Sequence, residues 1–350
     1  MIPTRFNQDF FMSITAFRKN MCKKEGIMFK RGWILPEQGY EAALKALEGE
    51  LAPYRAEGYF TAPDGAPLYY ERVCREENRK AILLLHGFTE FIGKYTEMIG
   101  CFFRDGYDVY IFEQRGHGRS ARAVKNAQLV HVDAFSSYVR DTAAFVRRVI
   151  APENYEALDL FSHSMGGAVA ALYLAGDGCP VRRAVLSAPM IAPRSGKAPR
   201  PLVLWHLRRQ GKKEGFSAPC YHAGHFNPNA SFAHSSDNSP ARFAQNLRVR
   251  CEDERFQTST GSIGWTLEAI RVQSEILKKA KNIRCPVLLL RGTEDRVVRR
   301  GAQNRFLKRV KNAALYELPG AKHGLFTASC GELNAYYTAI FMFLDEESGG

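Results

Sequence analysis

Ser164 lies at the centre of Leu158-Asp-Leu-Phe-Ser-His-Ser-Met-Gly-Gly167, where an apolar strand-like run breaks into a small-residue turn and then an alanine-rich stretch. Small residues on both sides of a serine are what a strand-to-helix elbow needs, because strand and helix pass close to each other there. The turn holds its central residue under backbone strain and projects the hydroxyl from the end of a sheet. Ser162 stands where the pattern G-x-S-x-G has its first glycine. A serine hydroxyl is a weak nucleophile at neutral pH, so it needs a base within hydrogen-bond reach and a carboxylate to orient that base. Two later segments offer them. The strand-like run 286–290 leads into Arg291-Gly-Thr-Glu-Asp-Arg-Val-Val298, with Glu294 and Asp295, and the run 313–318 leads into Pro319-Gly-Ala-Lys-His-Gly324, with His323. In this reading His323 takes the proton from Ser164, the alkoxide attacks an ester carbonyl, and Asp295 holds the imidazole tautomer. The oxyanion that forms needs two donors. The backbone N–H groups of Met165, at the helix start, and of Phe88, just after His86-Gly87, are the candidates.

The elements that must position these residues follow from the hydrophobic pattern. Residues 57–74 read as a hairpin turning at Pro63-Asp64-Gly65. Apolar runs at 81–85, 109–112, 157–161, 183–187 and 286–290 then alternate with amphipathic stretches at 132–150, 165–175, 300–311 and 332–345. Continuous apolar strands separated by helices predict an α/β fold, a mostly parallel central sheet covered by helices on both faces. From 190 to 264 the alternation stops and Pro, Gly, Ser, Asn and His accumulate. A structureless loop of that length is improbable, so this segment is expected to carry its own helices as a cap. The expected division is an extension at 1–50, a core at 51–189 and 265–347, and the cap at 190–264. Within the cap the run Leu202, Val203, Leu204, Trp205 and Leu207 could line an acyl channel, with Leu204 and Trp205 as candidate substrate contacts, or could be the cap's own core.

At His86-Gly-Phe-Thr-Glu90 with Lys94-Tyr95, Gln114-Arg-Gly-His-Gly-Arg-Ser120, Ser162-His-Ser-Met-Gly-Gly167, Asp295 and His323, the chain resembles the α/β-hydrolase superfamily. The resemblance is to its monoacylglycerol lipase and lysophospholipase branch, a serine aminopeptidase S33-type hydrolase domain. Phe226-Asn-Pro-Asn-Ala-Ser-Phe-Ala-His-Ser235 and Gly261-Ser-Ile-Gly-Trp265 look like the L2-type lysophospholipase pattern. Glu113 stands where an aspartate usually precedes Arg-Gly-x-Gly. The resemblance implies an α/β-hydrolase fold with an inserted helical cap, the chain order Ser164, Asp295, His323, the choice of Asp295 over Glu294, and monoacyl lipid esters as substrates.

The composition bounds the rest. A chain of 350 residues, 45% hydrophobic, can bury a large core. Its eight cysteines are scattered without a C-x-x-C pair, which suits reduced thiols and a cytoplasmic protein. No apolar run approaches the roughly 18–20 residues that span a bilayer. The net charge of +13 is concentrated: residues 1–31 hold seven basic and two acidic groups, and residues 190–264 hold eleven and five. No nucleic-acid module accompanies that charge. Phe6, Phe10, Phe11, Ile14, Phe17 and Met21, with Arg18, Lys19, Lys23 and Lys24, can form a basic amphipathic helix on an anionic membrane surface. The alternatives are a helix packed on the body and an extension preceding a start at Met28. His222 and His225 lack companions at ligand spacing, so no metal is expected, and a serine triad needs no cofactor. His86, His117 and His163 read as loop organisers. Two further readings stay open: hydrolysis of another small ester or amide, aminopeptidase-like cleavage included, and a catalytically silent binding module. An aminopeptidase must bind a protonated amine, for which this basic cap has the wrong sign.

Overall fold

The computed structural model describes residues 32–194, 198–220 and 224–346. The candidate membrane helix within residues 1–27, and His222, lie outside that range. An eight-stranded sheet runs in the order β1-β2-β4-β3-β6-β7-β9-β10. Its strands are β1 (Arg55–Thr61), β2 (Pro67–Val73), β3 (Lys80–Leu85), β4 (Tyr107–Phe112), β6 (Ala157–His163), β7 (Val181–Ser187), β9 (Val287–Gly292) and β10 (Ala313–Leu318). The β1–β2 hairpin and the β2–β4 pair are antiparallel, and every other pair is parallel. A small parallel pair joins β5 (Leu129–Val130) to β8 (Thr260–Gly261).

The central strands are apolar on both sides because both faces are covered. In β3, Ala81, Leu83 and Leu85 enter one core while Ile82 and Leu84 enter the other, the two-residue alternation of a pleated strand. The first core is closed by α3 (Ser136–Phe145), α4 (Met165–Leu174), α7 (Ile263–Lys279) and α8 (Arg300–Leu307). The second is closed by α1 (Tyr40–Leu51), α2 (Thr96–Arg104) and α9 (Cys330–Leu344). Helix α1 falls in the stretch expected as an extension, yet Leu44, Leu47 and Leu51 are buried against the sheet's cover.

Between β7 and α7 the chain forms α5 (Arg200–Glu214) and α6 (Pro240–Glu252). Helix α6 is fixed to the body by Arg242, which is 1% exposed. Its Nε and Nη2 donate to Glu97 at 2.8 and 2.7 Å, Nη1 reaches Glu37 at 3.1 Å, and Nη2 also meets the Leu35 carbonyl. Among the described residues no helix is long and apolar enough to cross a membrane, and every cysteine there is a free thiol.

Candidate active site

Strand β6 stops at His163 and α4 starts at Met165, so Ser164 makes the whole turn. It does so at φ 50°, ψ −114°, a conformation a side chain adopts only under strain of about 1–3 kcal/mol. Its amide donates to the Ser187 carbonyl at 3.0 Å, and its own carbonyl accepts from Gly167 and Met190. The two glycines that follow are required sterically. A Cβ on Gly166 would sit 2.2 Å from the Leu85 carbonyl oxygen, and one on Gly167 would sit 2.6 Å from Pro189. Ser162 is fully buried and its hydroxyl donates to the Val185 carbonyl at 3.4 Å, which gives the polar group at the usual glycine position a partner.

The acid and the base arrive on neighbouring loops. After β9, Asp295 accepts from the amides of Val297 and Val298 through Oδ1, and its Oδ2 lies 2.8 Å from His323 Nδ1. With a proton on Nδ1 facing that carboxylate, His323 Nε2 is left to accept from Ser164 Oγ, also at 2.8 Å. The structure thus brings Ser164, His323 and Asp295 into one hydrogen-bonded line. Glu294 points elsewhere, toward Arg296 at 3.9 Å. The two loops approach at Gly292, where a Cβ would come within 2.0 Å of the Ala321 carbonyl oxygen. Burial lowers the pKa of His323, with the hydrogen bond to Asp295 opposing it. For Asp295 burial acts upward, but the hydrogen bond and charge of His323 and the two amides prevail and hold its carboxyl below the usual range.

Behind this line is a support whose extent the sequence did not reveal. His163, next to the serine, places Nε2 3.2 Å from the His323 carbonyl and Nδ1 3.2 Å from Glu90 Oε2. Glu90 also accepts from the Gly87 amide, Tyr95 Oη and Lys94 Nζ at 2.6, 2.6 and 2.8 Å. Burial acts to raise the Glu90 pKa, but Lys94 and His163 beside it bring it well below the ordinary value. One carboxylate therefore ties the loop after β3 to the backbone of His323. His86 accepts from the Gln114 amide and faces the Gly87 carbonyl, and its ring lies 5.1 Å from that of His117. All three loop histidines are buried organisers of backbone. Phe88 stacks on Trp265 with ring centroids 3.9 Å apart. Among the described residues, neither the Phe88 nor the Met165 amide donates a hydrogen bond.

Ser164 and His323 open into a cavity of about 470 Å³. Its walls include Phe88 and Phe91, the segment around His225 and Phe226, and Phe243, Asn246, Leu247 and Arg250 of α6. Leu204 and Trp205 are not among the residues lining it. Leu204 packs with Leu207, Ile263 and Leu267 between α5 and α7, and Trp205, 54% exposed, borders a separate hollow of about 670 Å³ with Arg208, Arg209 and Lys212. The apolar run on α5 is thus spent on the α5–α7 contact and on the surface, because the helix turns those side chains away from the serine. Other wall residues belong to the motif segments, Phe88, Glu90 and Lys94 among them and Phe226, Asn227 and Ala230 in the L2-type pattern. Those on α6 carry no motif, and only the i, i+3, i+4, i+7 spacing of Phe243, Asn246, Leu247 and Arg250 could have marked them as one helix face. Among the described residues no group of three or more His, Cys, Asp or Glu could hold a metal ion.

Residues 76–329 match a family model described as serine aminopeptidase, S33. The chain is 26% identical over 296 residues to lysophospholipase L2 of Escherichia coli, covering 84% of this chain and 86% of that protein. Its fold is similar to a soluble variant of monoglyceride lipase from Saccharomyces cerevisiae, at a TM-score of 0.64 and 18% identity over 83% of this chain and 96% of that one. It is also similar to a carboxyl esterase from Bacillus coagulans, at a TM-score of 0.66 and 17% identity over 82% and 97%.

Proposed function

The chain belongs to the serine aminopeptidase S33 family and has the α/β-hydrolase fold, and from that premise we propose that it is a serine carboxylester hydrolase acting on monoacyl lipids, lysophospholipid or monoacylglycerol. The observation that carries the proposal is the hydrogen-bonded line from Ser164 through His323 to Asp295, opening into a cavity partly lined by phenylalanines. In the proposed reaction His323 removes the hydroxyl proton as Ser164 Oγ attacks the ester carbonyl, and the imidazolium then protonates the departing glycerol oxygen. Water, deprotonated by the same imidazole, releases the fatty acid from the acyl-serine. Asp295 orients the ring and balances its transient charge. The Phe88 and Met165 amides are the proposed oxyanion donors, supported by their having no other acceptor among the described residues; each such donor contributes on the order of 3 kcal/mol.

Peptide hydrolysis at a free amino terminus is disfavoured by the same cavity. Of the wall carboxylates among the described residues, Glu90 already has four donors, and Asp237 shares the wall with the cations Lys94 and Arg250. We also propose that residues 190–264 act as a cap over the site and that contact with an anionic membrane is peripheral. Exposed Leu202 and Trp205 on the arginine- and lysine-rich α5 support that contact. Salt-sensitive sedimentation with anionic liposomes is the expected behaviour, and full recovery in the supernatant at low salt would count against it. The test of the main proposal is fatty-acid release from monoacyl lipids. Wild-type protein should release it and should be labelled by an active-site fluorophosphonate, and Ser164→Ala should do neither. Undiminished release by the variant would remove Ser164 as nucleophile.

A further inference from the structure

One wall of the catalytic cavity is a single face of α6, formed by Phe243, Asn246, Leu247 and Arg250. Three of these suit a lipid ester, but Arg250 does not. Its Nε donates to the Phe256 carbonyl at 3.0 Å and its Nη2 to the Thr258 carbonyl at 2.8 Å. The guanidinium lies over the Phe226 ring at 4.8 Å, and the Arg250 carbonyl accepts from Gln257 at 3.0 Å. The head group is therefore fixed in place by the protein itself, while Nη1, open to solvent, has no hydrogen-bond partner among the described residues.

The charge balance is the second observation. Some buried or part-buried arginines of this chain face carboxylates, Arg242 with Glu97 and Glu37 and Arg115 with Asp141 and Asp64, whereas Arg122, like Arg250, is held by backbone carbonyls. Arg250 forms no ion pair among the described residues. Lys94, on the same cavity wall, adds a second cation, paired with Glu90. The other wall carboxylate, Asp237, accepts from the neutral Thr327 hydroxyl and keeps its charge, so what sets Arg250 apart on this wall is its unpaired, pre-held fork and not a net positive charge. A part-buried cation costs free energy unless an anion meets it, and a guanidinium presents a donor fork matched to phosphate oxygens.

Resting on the serine-esterase reading above, we propose that Arg250 receives the phosphate of the substrate, so that the enzyme selects anionic lysophospholipids over neutral monoacylglycerols. The choice is made by one guanidinium held in advance on the cavity wall, with the phosphate and the acyl ester of one molecule reaching Arg250 and Ser164 together.

The test uses a matched pair, short-chain 1-acylglycerol 3-phosphate and 1-acylglycerol, both below their micelle concentrations. For wild-type protein kcat/KM should favour the phosphate, and in Arg250→Gln that ratio should fall by roughly tenfold to a hundredfold. Arg250→Lys, which keeps the charge and loses the fork, should fall between them, and it serves if the glutamine variant does not fold. A lysophosphatidylglycerol arm separates a terminal phosphate from a bridging one. Binding of the non-hydrolysable 1-alkyl ethers, with and without phosphate, reads the same preference without catalysis. It therefore separates failure of the esterase reading, in which neither ester is cleaved while the phosphorylated ether still binds more tightly, from failure of this inference. An unchanged ratio in both variants, or equal binding of the two ethers to wild-type protein, would overturn the assignment to Arg250.

Discussion

His323 can act as a base only while its imidazole is neutral, and burial keeps it so to lower pH than a free imidazole, against the pull of Asp295. The acid limb of kcat/KM is therefore expected below the ordinary histidine value of about 6.5. A limb at or above that value would contradict the assignment of His323 as base. Asp295→Asn leaves a side chain that can hold the ring in the wrong tautomer, and kcat should fall by about 10³–10⁴-fold with the protein still folded. Glu294→Gln should leave kcat within about twofold, since Glu294 faces Arg296 and solvent. At this scale the sequence was legible where one residue type at one spacing has one use. Ser164 and His323 are such residues, while Asp295 was separated from its neighbour Glu294 only by the family resemblance, and the structure brings the three to one line. That His163 organises a loop was legible too, but its particular partners, Glu90 and the His323 carbonyl, were not. Nor was Arg250, because an arginine in a polar helix and a histidine beside a turn have many ordinary uses until their neighbours are known.

At the scale of elements, the line depends on loops that touch through missing side chains. A Cβ on Gly292 would meet two backbone oxygens, of Ala321 at 2.0 Å and Lys322 at 2.5 Å, and backbone cannot swing away as a side chain does. Gly292→Ala should force the loops of Asp295 and His323 apart. With a displacement of about 1 Å, catalysis should fall about 10²-fold, alongside a stability loss of about 1–3 kcal/mol in urea unfolding. A variant with wild-type kcat would show that the two loops move freely of each other. The strands were readable from sequence because burial on both faces makes them continuous apolar runs. Helices α1 and α2 fell outside the stretches expected to be helical; the want of a side-chain cap does not explain this, since α3, α4 and α8 lack one too and were read. Helix α9, within a stretch expected to be helical, opens with a full capping box of Ser329 and Glu332. The substrate wall was misassigned to α5 because an apolar run shows that a helix buries something, but which neighbour it faces is decided by packing.

Across the whole molecule, His86, His117 and His323 all have pKa values lowered chiefly by burial. The unfolded chain takes up protons on these groups near pH 6.5 and the native state resists them. Their stabilising contribution is complete above that pH and is lost as pH falls. Glu113, raised by burial to about 7, acts oppositely, its contribution lost as pH rises through about 7. Glu346 and Asp141, also raised by burial, act with Glu113 but start from lower values. The three imidazoles are therefore expected to dominate and the thermal midpoint to fall between about pH 6.5 and 5, and a midpoint that rises over that interval would contradict their lowered values. The layered architecture was legible because alternating strands and helices admit few arrangements. The joint between α6 and the body was not, since Arg242 and Glu97 are 145 residues apart along the chain.

That joint also has a kinetic meaning. Swinging α6 outward would leave Glu97 buried without its cation, a cost of about 3–5 kcal/mol, so such a state would hold less than about one molecule in a hundred. Helix α6 is then expected to stay seated as a fixed jamb while substrate enters and product leaves.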